Sequence, residues 1–156
     1  MALYRLPVVG ERKPELLLGN GYGIDEARLS PDERLITYAS NQSGRWETYV
    51  ATFPEFTQQR QVSNAGGGQA LWRKDGKELF YLSLDGKIMA VDVKTGSIIA
   101  TGEPHMLFQT KISVEPVLDQ FCVTPDGQRF LVGEPVPVDE NPAITVVVNW
   151  PAMLRR

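Results

Sequence analysis

Apolar residues in this chain come in short runs separated by polar turns, and the runs repeat. "RLITY" (34–38), "KELFYLS" (77–83) and "RFLVGE" (129–134) are aromatic and aliphatic, with no 3.6-residue periodicity sustained long enough for a helix. Each reads as the second strand of a group. A candidate first strand precedes each: "DEARL" (25–29), "GQALW" (68–72) and "DQFCV" (119–123). A third follows: "WETYVAT" (46–52), "KIMAVDV" (87–93) and "AITVVVNW" (143–150). Weaker fourth strands are "QRQVS" (59–63) and "HMLFQ" (105–109), and the chain opens with "ALYRL" (2–6) and "ELLLG" (15–19). The pattern predicts an all-β chain of about thirteen strands.

The turn before each second strand is one motif in three copies, marked by Asp32, Asp75 and Asp126. These aspartates are 43 and 51 residues apart, the spacing of β-propeller blades. In Ser30-Pro31-Asp32 and Thr124-Pro125-Asp126 the proline presets φ for the first central turn position and the aspartate can bond its own backbone. Gly76 and Gly127 then suit the left-handed residue that closes the hairpin. Glu33 holds that place in the first copy, at a cost of about 1 kcal/mol. Asp85-Gly86 is a further hairpin signal, and the corresponding connections "NQSGR" (41–45) and "VPVDENP" (136–142) are longer, as on a loop face free to vary.

Four strands per period, joined by hairpins, define a partial β-propeller of about three four-stranded antiparallel blades, two complete and two incomplete. As a single domain it divides into an incomplete first blade (1–20), a blade (21–64), a second blade (65–112) and an incomplete last blade (113–156). Fewer than four blades do not close a ring, and an open stack leaves unpaired edges and apolar faces. The expectation is therefore a piece of a longer chain, or self-association in which two copies complete a ring.

Composition changes this picture little. The 156 residues are 42% apolar and 22% charged, as in an ordinary globular domain. No apolar run reaches the eighteen or so residues of a membrane helix, and "MALYRLPVVGERKP" lacks the long uncharged segment of a secretory signal, so membrane contact by this segment is not expected and targeting information would lie outside it. The net charge of −3 is not gathered into blocks, which argues against nucleic acid as a partner. One cysteine excludes an internal disulfide and a multi-cysteine zinc site.

"LSPDERLITYASNQSGRWETYV" resembles the bacterial WD-like propeller repeat of the TolB type: Ser-Pro-Asp-Gly-Lys, a hydrophobic strand, Ser-Asn-x-x-Gly, then a strand ending Tyr-Val. "LWRKDGKELFYLSLDGKIMAVDVKTG", together with "GQRFLVGEPV" and the terminal "ITVVVNWPAMLRR", is similar to the end of the propeller carried by many bacterial serine/threonine protein kinases. That resemblance implies a sensing or protein-binding module placed after a cytoplasmic kinase domain and a membrane helix, hence extracytoplasmic or periplasmic. The kinase signatures themselves, a glycine-rich phosphate loop, His-Arg-Asp and Asp-Phe-Gly, are missing from this sequence.

Candidate chemistry is sparse, and the expectation is no enzyme and no cofactor. Prolyl-oligopeptidase-like enzymes pair similar propellers with a hydrolase, but no serine here stands in Gly-x-Ser-x-Gly. His105, the sole histidine, has no second imidazole for a metal site and reads as a surface or blade-edge residue. "NAGGGQ" (64–69) is followed by no Gly-Lys-Ser/Thr and reads as a flexible turn between blades. Asp85, Asp92, Asp139 and Glu140 lack calcium-loop spacing and read as solvated turns. Trp72 and Trp150 suit the space between blades, Trp46 less so, and Cys122 reads as a buried, inert thiol.

One repeated feature points to binding. Six residues before each marker aspartate stand Glu26, Gln69 and Gln120, at the start of three successive first strands. In a propeller that strand is innermost, so the three should ring one mouth of the axial channel, as ligand contacts or as plain wet lining. Arg28 and Arg73, in the same strands, can complement an acidic partner or pair with Glu26 or Asp25. With Trp46 these six form the candidate partner-binding set, for a protein or peptide ligand. The alternative reading is the propeller portion of a hydrolase or lyase that gates or binds substrate.

Overall fold

The computed structural model of the protein describes residues 1–19, 21–96, 98–112, 114 and 119–136. Thirteen strands and no helix occur among them. A hairpin of β1 (Leu3–Arg5) and β2 (Glu15–Leu18) precedes two full sheets. The first runs β3 (Ile24–Leu29), β4 (Leu35–Ser40), β5 (Glu47–Thr52), β6 (Gln59–Gln61), each strand antiparallel to the one before. The second runs β7 (Gly68–Trp72), β8 (Glu78–Leu82) and β9 (Lys87–Lys94), and its outer edge is shared by β10 (Ala100–Thr101) and β11 (His105–Gln109). A last hairpin joins β12 (Phe121–Val123) to β13 (Phe130–Val132). Strand β7 touches both β3 and β12, so the first strands of successive sheets lie side by side. Among the described residues the fold is all-β, a partial β-propeller of two complete blades flanked by two hairpins.

Both faces of each central sheet are covered, which explains why the second strands read as unbroken apolar runs instead of alternating ones. From β4 and β5, Ile36, Tyr38, Tyr49 and Ala51 pack toward the opening hairpin, where Leu3 and Leu18 meet them. Leu35 and Val50 point the other way, onto Leu79, Tyr81, Val91 and Val93 of the second blade. The remaining face of that blade sends Phe80, Leu82, Ile88 and Ala90 to Phe121, with Phe130 edge-on to Phe80 at 5.1 Å. Each buried Val, Leu, Ile or Phe among these contributes about 1.5–3 kcal/mol by leaving water. Outermost β6 is exposed throughout, which is why its sequence is polar.

The repeated turns share one backbone scheme. Glu33, Gly76 and Gly127 lie at φ 58°, 70° and 74°, and each donates its N–H to the carbonyl three residues back. Glu33 is therefore the left-handed non-glycine residue its position predicts. Ser30 Oγ donates to Asp32 Oδ1 at 2.7 Å and accepts from Leu35 N at 2.9 Å, and Thr124 Oγ1 joins Asp126 and Arg129 N in the same way. The hydroxyl thus fastens the far end of the turn.

Several expectations need correction. The fourth strand of the second blade is in two pieces, β10 and β11, broken around Gly102–Pro104; Ala100–Thr101 is too short to be legible as a strand. Asp92 stands within β9 on an exposed position, not in a turn. Cys122 is exposed: with Phe121 turned into the core, strand alternation sends the thiol to the opposite face of β12. The expected third strand of the last blade (143–150), with Trp150, Asp139 and Glu140, lies outside the described residues.

Candidate binding site at the inner-strand mouth

The first strands of the two full blades carry the same irregularity. Between Asp25 and Arg28 strand β3 advances three residues while β4 advances two, and between Gly68 and Leu71 strand β7 does the same against β8. Each bulge holds one left-handed, non-glycine residue: Glu26 at φ 54° and Gln69 at φ 53°. That conformation costs about 1–2 kcal/mol at a side-chain-bearing residue. Hydrogen bonds hold it in place. Asp25 Oδ1 accepts from Glu26 N at 2.8 Å, the Glu26 carboxylate accepts from Gln69 N, and Gln69 Oε1 accepts from Gln120 N at 2.7 Å. Gln69 Nε2 also donates to Gln120 Oε1 at 3.2 Å. The three polar residues therefore form one chain across three blades, each side chain engaging the backbone of the next.

The glycine run 66–68 is not open slack between blades. A methyl group at Gly68 would lie 2.7 Å from Glu26 Oε2, one at Gly67 2.7 Å from the Tyr81 ring, and one at Gly66 2.3 Å from Leu84. These glycines permit close approach, which a flexible-turn reading misses because the crowding side chains are distant in sequence. The run is fixed from below by Glu47, almost wholly buried at the start of β5. Its carboxylate accepts from Arg45 Nε at 2.6 Å, from Gly66 N at 3.0 Å and from Ser63 Oγ. In the sequence Glu47 carries no mark of this role beyond its pairing with Arg45 across Trp46.

Above the bulges lies a pocket of about 190 Å³ between the two full blades. Its walls are Ala39, Trp46, Leu82, Leu84 and Val114, with Asp25, Glu26 and Gln69 at the polar end. Trp46 is half-buried and crosses Gly23, where a methyl group would lie 2.7 Å from the ring. Burial pushes the Glu26 carboxyl above its ordinary value, Gln69 N–H opposes this, and the Asp25 and Asp119 charges add to it against Arg28.

The two arginines separate. Arg28 binds neither Glu26 nor Asp25; its Nη2 lies 2.5 Å from Asp119 Oδ1, bridging the first full blade to the last, and its Nε is buried with no hydrogen-bond partner among the described residues. Arg73 is at the opposite end of β7 from Gln69. Its guanidinium forks onto both Asp75 oxygens at 2.9 Å and onto Glu78 at 2.5 Å, taking the place of the hydroxyl in the other two turns. These bonds, with Lys77 N–H, hold the Asp75 carboxyl down at about 2. The mouth thus gathers Glu26, Gln69, Gln120 and Trp46, keeps Arg28 at its rim, and leaves Arg73 out. His105 is exposed at the start of edge strand β11, and no group of three His, Cys, Asp or Glu side chains among the described residues is placed to hold a metal ion.

The chain is similar in structure to TolB from Acinetobacter baumannii, with a TM-score of 0.59 and 22% identity, over 81% of this chain and 30% of that one. This likeness shows the TolB-like propeller fold, and the chain spans less than a third of TolB's length. A weaker similarity is to an oligogalacturonate lyase from Vibrio parahaemolyticus, with a TM-score of 0.46 and 15% identity, over 58% of this chain and 26% of the lyase. No protein-family model matches the chain, and no curated protein matches it.

Proposed function

We propose that this chain is a non-catalytic, protein- or ligand-binding propeller module whose partner docks at the inner-strand mouth. The observation that carries this reading is the pocket seated over two matching strained bulges. Left-handed Glu26 and Gln69 cost energy that the fold offsets with side-chain-to-backbone bonds, and the result is a preorganised rim beside half-exposed apolar walls. The module belongs to the sensing part of a larger bacterial signalling protein such as a serine/threonine kinase. Support for that setting is the sequence resemblance of "LWRKDGKELFYLSLDGKIMAVDVKTG" and the segments after it. A kinase domain and a membrane helix in the coding sequence upstream would bear it out; a hydrolase there would refute it.

Binding at the mouth is tested by selecting N-acetylated peptides from a displayed library on the 156-residue chain, then titrating them against Trp46→Ala/Leu84→Ala. Leu84 is 48% exposed and Trp46 half-buried, so the variant should stay folded. The expected result is at least a tenfold loss of affinity, about 1.4 kcal/mol. Peptides that bind wild type and variant equally would refute mouth binding.

A further inference from the structure

Building on that reading of the mouth, we infer that its pocket receives a lysine or arginine side chain of a partner peptide. Size comes first. At about 190 Å³ the pocket is below the roughly 300 Å³ at which small-molecule sites begin, so it admits one side chain and not a drug-sized ligand. Its walls suit an aliphatic stem: Ala39, Leu82 and Leu84 are apolar, and the half-buried Trp46 offers a ring to a cation as well as to methylenes.

Charge then selects the tip. Asp25 and Glu26 close the polar end, and no basic side chain stands among the pocket's described lining. Around Glu26 three carboxylates, its own with those of Asp25 and Asp119, face a single cation, Arg28. Arg28 is already committed to Asp119 at 2.5 Å. An acidic tip would meet uncompensated negative charge, and a neutral polar tip would bring a donor but no charge to offset it. A cation would relieve the repulsion among the carboxylates, and it would do so where burial weakens solvent screening. The donors already on Glu26 and Asp25 are single backbone N–H groups, Gln69 N and Glu26 N. Each carboxylate therefore keeps acceptor capacity for an incoming ammonium or guanidinium.

The experiment uses mouth-binding peptides from the selection, each resynthesised with lysine or arginine replaced by norleucine, which keeps the stem and removes the charge. Expected are an excess of lysine or arginine over the input library, a loss of at least tenfold on replacement, and weaker binding as salt rises. Asp25→Asn/Glu26→Gln should erase the difference between lysine and norleucine peptides while leaving the melting temperature near that of wild type, because both amides retain the oxygen that accepts the backbone N–H. Should the doubly substituted chain fail to fold, the norleucine comparison on the unaltered chain still decides. Peptides that lose affinity with Trp46→Ala/Leu84→Ala yet bind equally with lysine or norleucine would overturn this inference and leave mouth binding standing. Finding no mouth-dependent peptide would remove both.

Discussion

The two complete blades share a backbone and differ in what they hang on it. Strands β3 and β7 bulge at the same step, with a left-handed residue at the same place, but the first blade presents a carboxylate there and the second an amide. The carboxylate only accepts, so it engages Gln69 N and leaves negative charge at the pocket. The amide both accepts and donates, and it is absorbed by Gln120. A second contrast lies on their forward faces. The first blade turns Thr37 toward its successor, its hydroxyl bonded to Tyr49 O at 3.0 Å, whereas the second, 43 residues later, turns Phe80 into an aromatic cluster with Phe121 and Phe130. Backbone repetition thus fixes where a residue acts, and the residue type decides whether that place binds, links or packs.

Cutting into the packing should give the largest effect. Phe80→Ala should cost about 3–5 kcal/mol in urea unfolding, and Thr37→Ala about 1 kcal/mol, since one loses an aromatic side chain from the core and the other a hydroxyl and a methyl group. Equal losses would show that the two blade interfaces are held alike. A smaller difference separates the turns: Gly76→Ala, at φ 70° where a methyl group would meet only Pro31 Cδ at an ordinary 3.7 Å, should cost about 1 kcal/mol, whereas Glu33→Gly at φ 58° should gain about 0.5 kcal/mol. Thermal melts of both variants check the opposite signs.

The smallest effect sharpens the carboxylate–amide contrast. Because the folded chain raises the Glu26 carboxyl above 4.5, the native state holds that proton more tightly than the unfolded chain does. Its contribution to stability is therefore fully present below about pH 4.5 and is lost as pH rises through the folded value. Glu26→Gln should remove this loss, so the variant gains on wild type as pH climbs from about 4 to about 7. Asp32, Asp75, Asp85 and Asp126, all held below the ordinary range by hydrogen bonds and nearby charge, slope the other way in both proteins and cancel in the comparison. A constant offset across the range would sink the assignment.

Much of this architecture was legible in the sequence because it is written locally. A turn motif, its left-handed residue and the apolar run behind it are neighbours along the chain, so blade spacing and strands such as "GQALW" emerge from residues that act on one another. What was not legible depends on partners brought from afar. Gly66, Gly67 and Gly68 look like slack until Leu84, Tyr81 and Glu26 arrive against them. Arg73 looks like a mouth residue until strand direction carries it to the other end of β7 and Asp75 and Glu78 occupy it. Cys122 has apolar neighbours that suit the interior, but the face it shares depends on what covers β12. Glu26, Gln69 and Gln120 stand at a fixed distance from the turns along the chain, whereas the bonds between them depend on the separation that neighbouring blades set.

Two bonds in that polar chain, Gln69 N to Glu26 and Gln120 N to Gln69, run from a side chain on one blade to a peptide N–H on the next, a group that every residue but proline supplies, while the third joins the Gln69 and Gln120 amides. The connector is therefore indifferent to its successor's side chain at the two backbone links and selective only where the two amides meet. A gene encoding such a molecule can copy, shuffle or replace one repeat without rewriting its neighbour, provided the bulge survives, and surface diversification at the rim is free to proceed one unit at a time.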